Sequence, residues 1–183
     1  MKLETKRLLI RPVKKADCFD MFEYTSDYEV AKLAGWSSHL TIGQTKKFIN
    51  ALRRKKETHG IIFKEENKLI GTVSLYKNNF RRNHYTLELG YSLNRKYWGQ
   101  GIIPEACQKV ITYCFEDTIC EVIMALSEPS NLNSIQVLEK CGFKKEGLLR
   151  DFTISPTKQR IDVNAYSVLK KEYERMELPW QKL

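Results

Sequence analysis

The residues with the clearest chemistry in this chain lie in one stretch, Leu93-Asn94-Arg95-Lys96-Tyr97-Trp98-Gly99-Gln100-Gly101-Ile102-Ile103-Pro104-Glu105-Ala106. It reads as a strand end, a basic turn with two glycines, and a helix start. A Gly-x-Gly pair lets the backbone turn tightly and brings its N–H groups against a ligand. The helix that follows adds its unpaired first amides and the positive end of its dipole. Together these form an anion site suited to a pyrophosphate, with Arg95 and Lys96 adding positive charge at its rim. Just upstream, Leu87-Glu88-Leu89-Gly90-Tyr91 sets a carboxylate in an otherwise apolar strand, where a charge is unusual. Glu88 shares a strand face with Gly90 and Ser92 and is a candidate proton carrier.

The order strand, Gly-x-Gly, helix is not specific by itself, since a plain strand-to-helix turn has the same form. Two nucleotide-binding patterns are excluded. There is no Gly-x-x-x-x-Gly-Lys-Ser/Thr loop, and Pro104 stands where a dinucleotide fingerprint needs its third glycine. The segment Lys96-Tyr97-Trp98-Gly99-Gln100-Gly101 resembles the Gln/Arg-x-x-Gly-x-Gly/Ala motif of the GNAT acyltransferases, the superfamily that binds acetyl-coenzyme A, with lysine in the first position. Tyr-Trp-Gly-x-Gly followed by Glu105-Ala106 is similar to the RimJ/RimL branch, the ribosomal-protein N-terminal acetyltransferases. Asn131-Leu132-Asn133-Ser134 with Leu138-Glu139-Lys140-Cys141-Gly142-Phe143 resembles that branch's Asn-x-x-Ser…Leu-Glu-Lys-x-Gly-Phe block. Leu8-Leu9-Ile10-Arg11-Pro12, Ala34-Gly35-Trp36 and Glu146-Gly147 are weaker cues. The resemblance covers about residues 3–169, nearly the whole chain.

The resemblance implies a GNAT fold and acetyl-coenzyme A as co-substrate. The acetyl group passes to a primary amine, by direct transfer in a ternary complex. It implies coenzyme contacts from Leu93, Lys96, Tyr97, Trp98, Gly99, Gln100, Gly101, Ile102, Asn131 and Ser134. Glu88 takes the place of the glutamate that receives the amine proton, commonly through water. Ser134 takes that of the serine near the thiol, which can protonate the leaving sulfur. Other GNAT branches use a tyrosine for this step, and Leu138 occupies its place here, so the role falls to Ser134 or water. Asn131 is equally well explained as a helix N-cap, and capping and coenzyme contact can coexist. Tyr28, Trp36 and Tyr91 are candidates for the acceptor cleft, with packing an equal alternative for each. The acceptor is a protein N-terminus, a ribosomal protein among them, or a small amine. The competing reading is a non-catalytic acetyl-coenzyme A sensor or partner-docking domain, which would not need Glu88 with Ser134.

These residues need elements to place them. Strands are predicted over 6–13, 60–64, 69–76, 85–93, 122–126, 143–152 and 161–169. Helices are predicted over 17–25, with Phe19 and Phe22 on one face, over 102–115 and over 134–141. Another starts at the capping box Thr41-Ile42-Gly43-Gln44 and carries Phe48, Ile49 and Leu52. Ile103, Cys107, Val110 and Cys114 mark the buried stripe of the 102–115 helix. Gly142 closes the 134–141 helix in a Schellman motif with Phe143 against Leu138. The mixed order argues an α/β class: a central mixed, mostly antiparallel sheet flanked by helices.

The 183 residues suit a single domain, 1–183. Hydrophobic content of 42% and charged content of 29% are ordinary for a soluble protein. No apolar run approaches the ~18 residues of a membrane span, and no signal-peptide core opens the chain. The five cysteines include no Cys-x-x-Cys, so neither a zinc site nor a disulfide framework is expected, and no metal. These features suit a cytoplasmic protein, monomer or homodimer. The net charge of +9 is scattered over Arg53-Arg54-Lys55-Lys56, Arg81-Arg82 and Lys144-Lys145. Without interleaved aromatics it reads as solvated faces and a pull on coenzyme phosphates rather than a nucleic-acid site. His39, His59 and His84 stand in no triad or metal spacing and are assigned no role.

Overall fold

A computed structural model describes residues 1–78, 81–82 and 85–175. His84 lies outside them. The described residues form eight strands in the hydrogen-bonded order β1-β2-β3-β4-β5-β6-β8-β7 and six α-helices. The strands are β1 (Leu3–Glu4), β2 (Leu8–Pro12), β3 (Thr58–Phe63), β4 (Lys68–Lys77), β5 (Thr86–Leu93), β6 (Val122–Ser127), β7 (Lys144–Ile154) and β8 (Arg160–Leu169). The helices are α1 (Cys18–Thr25), α2 (Tyr28–Ala34), α3 (Ile42–Lys55), α4 (Ile102–Asp117), α5 (Leu132–Lys140) and α6 (Lys170–Arg175). The sheet is mixed and mostly antiparallel, with β5 parallel to β6. Two compact units divide the chain, which passes between them inside β4, β5 and α4.

The first unit comprises Met1–Leu75 and Tyr91–Ala106. Its core joins Val13, Cys18, Met21, Tyr24, Val30, Ile49, Ile62 and Leu69, with Trp36, Phe48, Leu52 and Trp98 packed around them. The α3 start is the predicted capping box: Thr41 Oγ1 accepts from the Gln44 amide, and Gln44 Oε1 accepts from the Thr41 amide. Gly71 is required by close approach, because a Cβ there would stand 2.4 Å from the Ser92 carbonyl oxygen of β5. Two expectations are corrected here. Phe19 is 76% exposed, and α1 buries Cys18, Met21, Tyr24 and Thr25 instead. That stripe has helical spacing too, so the aromatic pair marked the wrong one. Helix α2 was not anticipated. Asp27 caps its start, and Gly35 ends it at φ 77°.

The second unit comprises Tyr76–Gly90 and Cys107–Leu183. Cys107, Val110, Ile111 and Cys114 of α4 are fully buried, and each buried aliphatic side chain among them stabilises the unit by ~1.5–3 kcal/mol. The Phe115 and Tyr173 rings lie 5.2 Å apart and dock α6. Helix α5 ends in the predicted Schellman motif. Gly142 has φ 81°, its amide donates to the Glu139 carbonyl, and the Phe143 amide donates to that of Leu138. All five cysteines are buried free thiols. No helix among the described residues is long and apolar enough to cross a membrane.

Candidate active site

The glycine turn belongs to the first unit. β5 ends at Leu93, Asn94 caps a short 3-10 turn (Arg95–Tyr97) through the Lys96 amide, and the chain then reverses through Gly99 at φ 75° and Gly101 at φ 70°. Both values lie in the left-handed region that favours glycine. A Cβ at Gly99 would meet nothing within 4 Å, so the turn is open on that side. The first helical bond of α4 runs from the Glu105 amide to the Gly101 carbonyl. Pro104 sits in the first turn, where a missing N–H costs nothing. The amides of Gly99, Gln100, Gly101, Ile102 and Ile103 make no hydrogen bond among the described residues. A run of unsatisfied N–H groups ending on a helix N-terminus is the donor set for a phosphate or pyrophosphate.

The residues around the turn hold it in place. Trp98 Nε1 donates to the Leu93 carbonyl at 2.9 Å. Gln100 Nε2 donates to the Lys96 carbonyl at 3.1 Å. The Tyr97 hydroxyl donates to Glu66 at 2.6 Å, and Tyr97 and Ile102 are buried. The two basic side chains beside the turn are committed to acids. Arg95 Nε pairs with Asp27 at 3.0 Å and Lys96 Nζ with Glu23 at 2.7 Å. Glu23 also holds Lys68 at 2.5 Å. Lys68, then Lys96, hold the Glu23 carboxyl down to about 2, outweighing the effect of burial. Lys96 shares Glu23 with Lys68, and the Arg95 and Lys96 side chains stay 59% and 72% exposed, so positive charge remains beside the turn.

Of the acceptor-cleft candidates in this unit, Tyr28 is exposed on the first turn of α2. Trp36 packs on Phe48 with ring centroids 6.2 Å apart, and its Nε1 is buried without a partner among the described residues. Tyr91 is half-buried on β5.

Glu88, Asn131 and Ser134 belong to the second unit. Glu88 is half-buried and is the last paired residue of the parallel ladder, opposite Met124. Strand ends where a parallel pair stops pairing are where open sheets receive ligands. Asn78, which the sequence analysis did not single out, fixes the carboxylate. Its Nδ2 donates to Glu88 Oε2 at 2.9 Å, while its Oδ1 accepts from the Arg81 amide at 3.0 Å. Arg81 in turn pairs with Glu146, which accepts from Ser167 Oγ at 2.6 Å. Burial pushes the Glu146 carboxyl up, but Ser167 and Arg81 outweigh it and leave it below its ordinary value. Asn78 lies ten positions from Glu88 across a loop, a separation at which sequence pattern gives no signal.

Asn131 caps α5: its Oδ1 accepts from the Ser134 amide at 3.1 Å. The capping reading of Asn131 therefore holds, with the Asn131 Nδ2 donors engaged by no described residue. Ser134 is half-buried in the first turn of α5. Leu138, where other branches carry tyrosine, is completely buried. A phenol there would overpack the core, so the position offers no route to a tyrosine acid. No group of three or more His, Cys, Asp or Glu suited to a metal occurs among the described residues.

A mixed sheet with this strand order and an open Gly-x-Gly turn ahead of α4 defines an acetyltransferase fold. Residues 7–144 match the model of the acetyltransferase (GNAT) domain, and the chain belongs to that family. It is 35% identical to N-acetyltransferase p20 of Bacillus licheniformis, itself uncharacterized, over 93% of this chain and 97% of that one. It is 27% identical to the [ribosomal protein uS5]-alanine N-acetyltransferase of Escherichia coli, over 84% of each chain. A GNAT-family acetyltransferase from Bacillus anthracis superposes with a TM-score of 0.85 at 30% identity, covering 94% of this chain and 100% of that one. The chain is thus an N-acetyltransferase of a family that uses acetyl-coenzyme A, of the RimJ/RimL-like kind, and the non-catalytic sensor reading is set aside.

Proposed function

We propose that the protein transfers the acetyl group of acetyl-coenzyme A to a primary α-amine at a protein N-terminus. The observation that carries the coenzyme half is the run of five unsatisfied amides from Gly99 to Ile103. The acceptor half is supported by the name of the Escherichia coli relative, a [ribosomal protein uS5]-alanine N-acetyltransferase. An acceptor of that kind favours a cytoplasmic setting for the reaction.

Acetyl-coenzyme A supplies the activated acyl carbon as a thioester. Gly99, Gln100, Gly101, Ile102 and Ile103 bind its pyrophosphate through their amides, flanked by Leu93, Lys96, Tyr97 and Trp98. Asn131 and Ser134 contact its pantetheine arm. Glu88, held by Asn78, takes the proton that the amine loses as its N–C bond to the acyl carbon forms, through a water. The C–S bond breaks, and Ser134 or solvent returns a proton to the sulfur. The buried cysteines leave no thiol to carry the acetyl group, which favours direct transfer. Tyr28, Trp36 and Tyr91 are retained as contacts for the acceptor.

The test is thiol release from acetyl-coenzyme A across a panel of short peptides with free N-termini, polyamines and amino sugars. Turnover on peptides at least tenfold above that on any small amine is the expected result. Small amines alone as substrates would replace the acceptor and keep the transfer.

Ser134→Ala is expected to lower kcat by about 10- to 100-fold, the low end of acid catalysis, because a thiolate leaves fairly well unaided. Since Ser134 also sits in the first turn of α5, the melting temperature is measured beside the rate. Normal turnover at normal stability would give the proton transfer to solvent.

A further inference from the structure

Arg95 and Lys96 lie beside the glycine turn in sequence and pair with Asp27 and Glu23. A further cation reaches the turn from far away in the chain. Arg7 stands between β1 and β2 and meets the first turn of α4. Its Nε donates to Glu105 Oε2 at 2.6 Å, and its backbone amide donates to Glu105 Oε1 at 3.2 Å. Thr5 Oγ1 donates to the same Oε1 at 2.5 Å. Burial pushes the Glu105 carboxyl up, but Thr5 and Arg7 outweigh it and hold it below its ordinary value.

That arrangement aims the rest of the guanidinium. Nη1 donates to the Gln100 carbonyl at 2.9 Å, the peptide between the two glycines. Nη2 makes no hydrogen bond among the described residues. It stands 3.7 Å from the point a Gly101 Cβ would occupy. The guanidinium is partly open to solvent. A planar fork with a donor edge left over, fixed beside unsatisfied amides, matches a phosphate oxygen. Its charge also offsets Glu105, an acid in the helix turn that would otherwise repel an anion.

We propose that Arg7 is a coenzyme-binding residue: Nη1 holds the Gly-x-Gly turn by its Gln100 carbonyl, and Nη2 donates to the pyrophosphate. This rests on the reading of the turn as the pyrophosphate site. Glu105 then serves to orient Arg7.

The test compares coenzyme A with pantetheine, which lacks the pyrophosphate, by calorimetry and displacement titration. In Arg7→Gln the ratio of the two affinities is expected to fall at least tenfold, with pantetheine affinity unchanged. KM for acetyl-coenzyme A rises while kcat holds. Arg7→Lys keeps the charge and loses the fork, and is expected to fall between Arg7→Gln and the wild type. It also covers the case in which Arg7→Gln does not fold. An Arg7 that served only to tie Glu105 to the strand would lower the melting temperature and leave the ratio alone, and an unchanged ratio in a folded variant overturns the proposal. Gly101→Val is run alongside. If it lowers the ratio and the Arg7 variants do not, only the role of Arg7 falls. If it too leaves the ratio unchanged, the reading of the turn falls with it.

Discussion

Glu88→Gln is expected to reduce kcat about a hundredfold or more while leaving coenzyme affinity and melting temperature near those of the wild type. The two side chains have nearly the same shape, and Asn78 Nδ2, which donates to Glu88 Oε2 at 2.9 Å, finds the same acceptor in a glutamine. The Asn78 contact with the Arg81 amide is therefore kept as well. What the carboxamide cannot do is accept a proton. General-base groups contribute about 10²–10⁴-fold, and a loss in kcat at constant coenzyme affinity is the signature of an interaction made in the transition state. Steady-state thiol release with a saturating acceptor reads it. A variant with wild-type kcat would hand the proton to another group or to water.

Gly101→Val is expected to weaken coenzyme A binding at least tenfold, about 1.4 kcal/mol. At φ 70° a β-branched residue is strained by roughly 1–2 kcal/mol. The nearest atom to an added Cβ is Arg7 Nη2 at an ordinary 3.7 Å, so space within the protein is not what opposes it. Two consequences remain. The turn shifts to relieve φ and moves the amides of Gly99 to Ile103 out of line, and the isopropyl group stands where a phosphate approaches. The turn is exposed and anchors little of the core, so the fold tolerates the change.

What the sequence made legible was what residue type alone dictates. Gly142 announced a left-handed helix end and Gly99 with Gly101 a tight turn, and all three have positive φ. Thr41 with Gln44 announced a helix start, and the apolar spacing of α4 announced its buried face. The turn, Glu88, and Asn131 with Ser134 were singled out as candidates because each sits in a local pattern. What depends on distant partners was not legible. Arg7 meets Glu105 from 98 positions away, and nothing in either local pattern shows the pair. The same holds for Arg81 with Glu146, 65 positions apart. The pairing of Lys96 with Glu23, 73 positions away, is equally invisible in the local pattern. Helix α2 was missed because its seven residues are too few to show a period, although Asp27 and Gly35 mark both of its ends. Phe19 misled because two stripes of α1 satisfy helical spacing and only tertiary packing selects one.

The central claim is that the amides from Gly99 to Ile103 hold the coenzyme. Calorimetric titration of coenzyme A into the wild type and into Gly101→Val, with melting curves of both, tests it most directly. The account predicts saturable one-site binding by the wild type and at least tenfold weaker binding by a folded Gly101→Val. Equal affinity in the two folded proteins would contradict it.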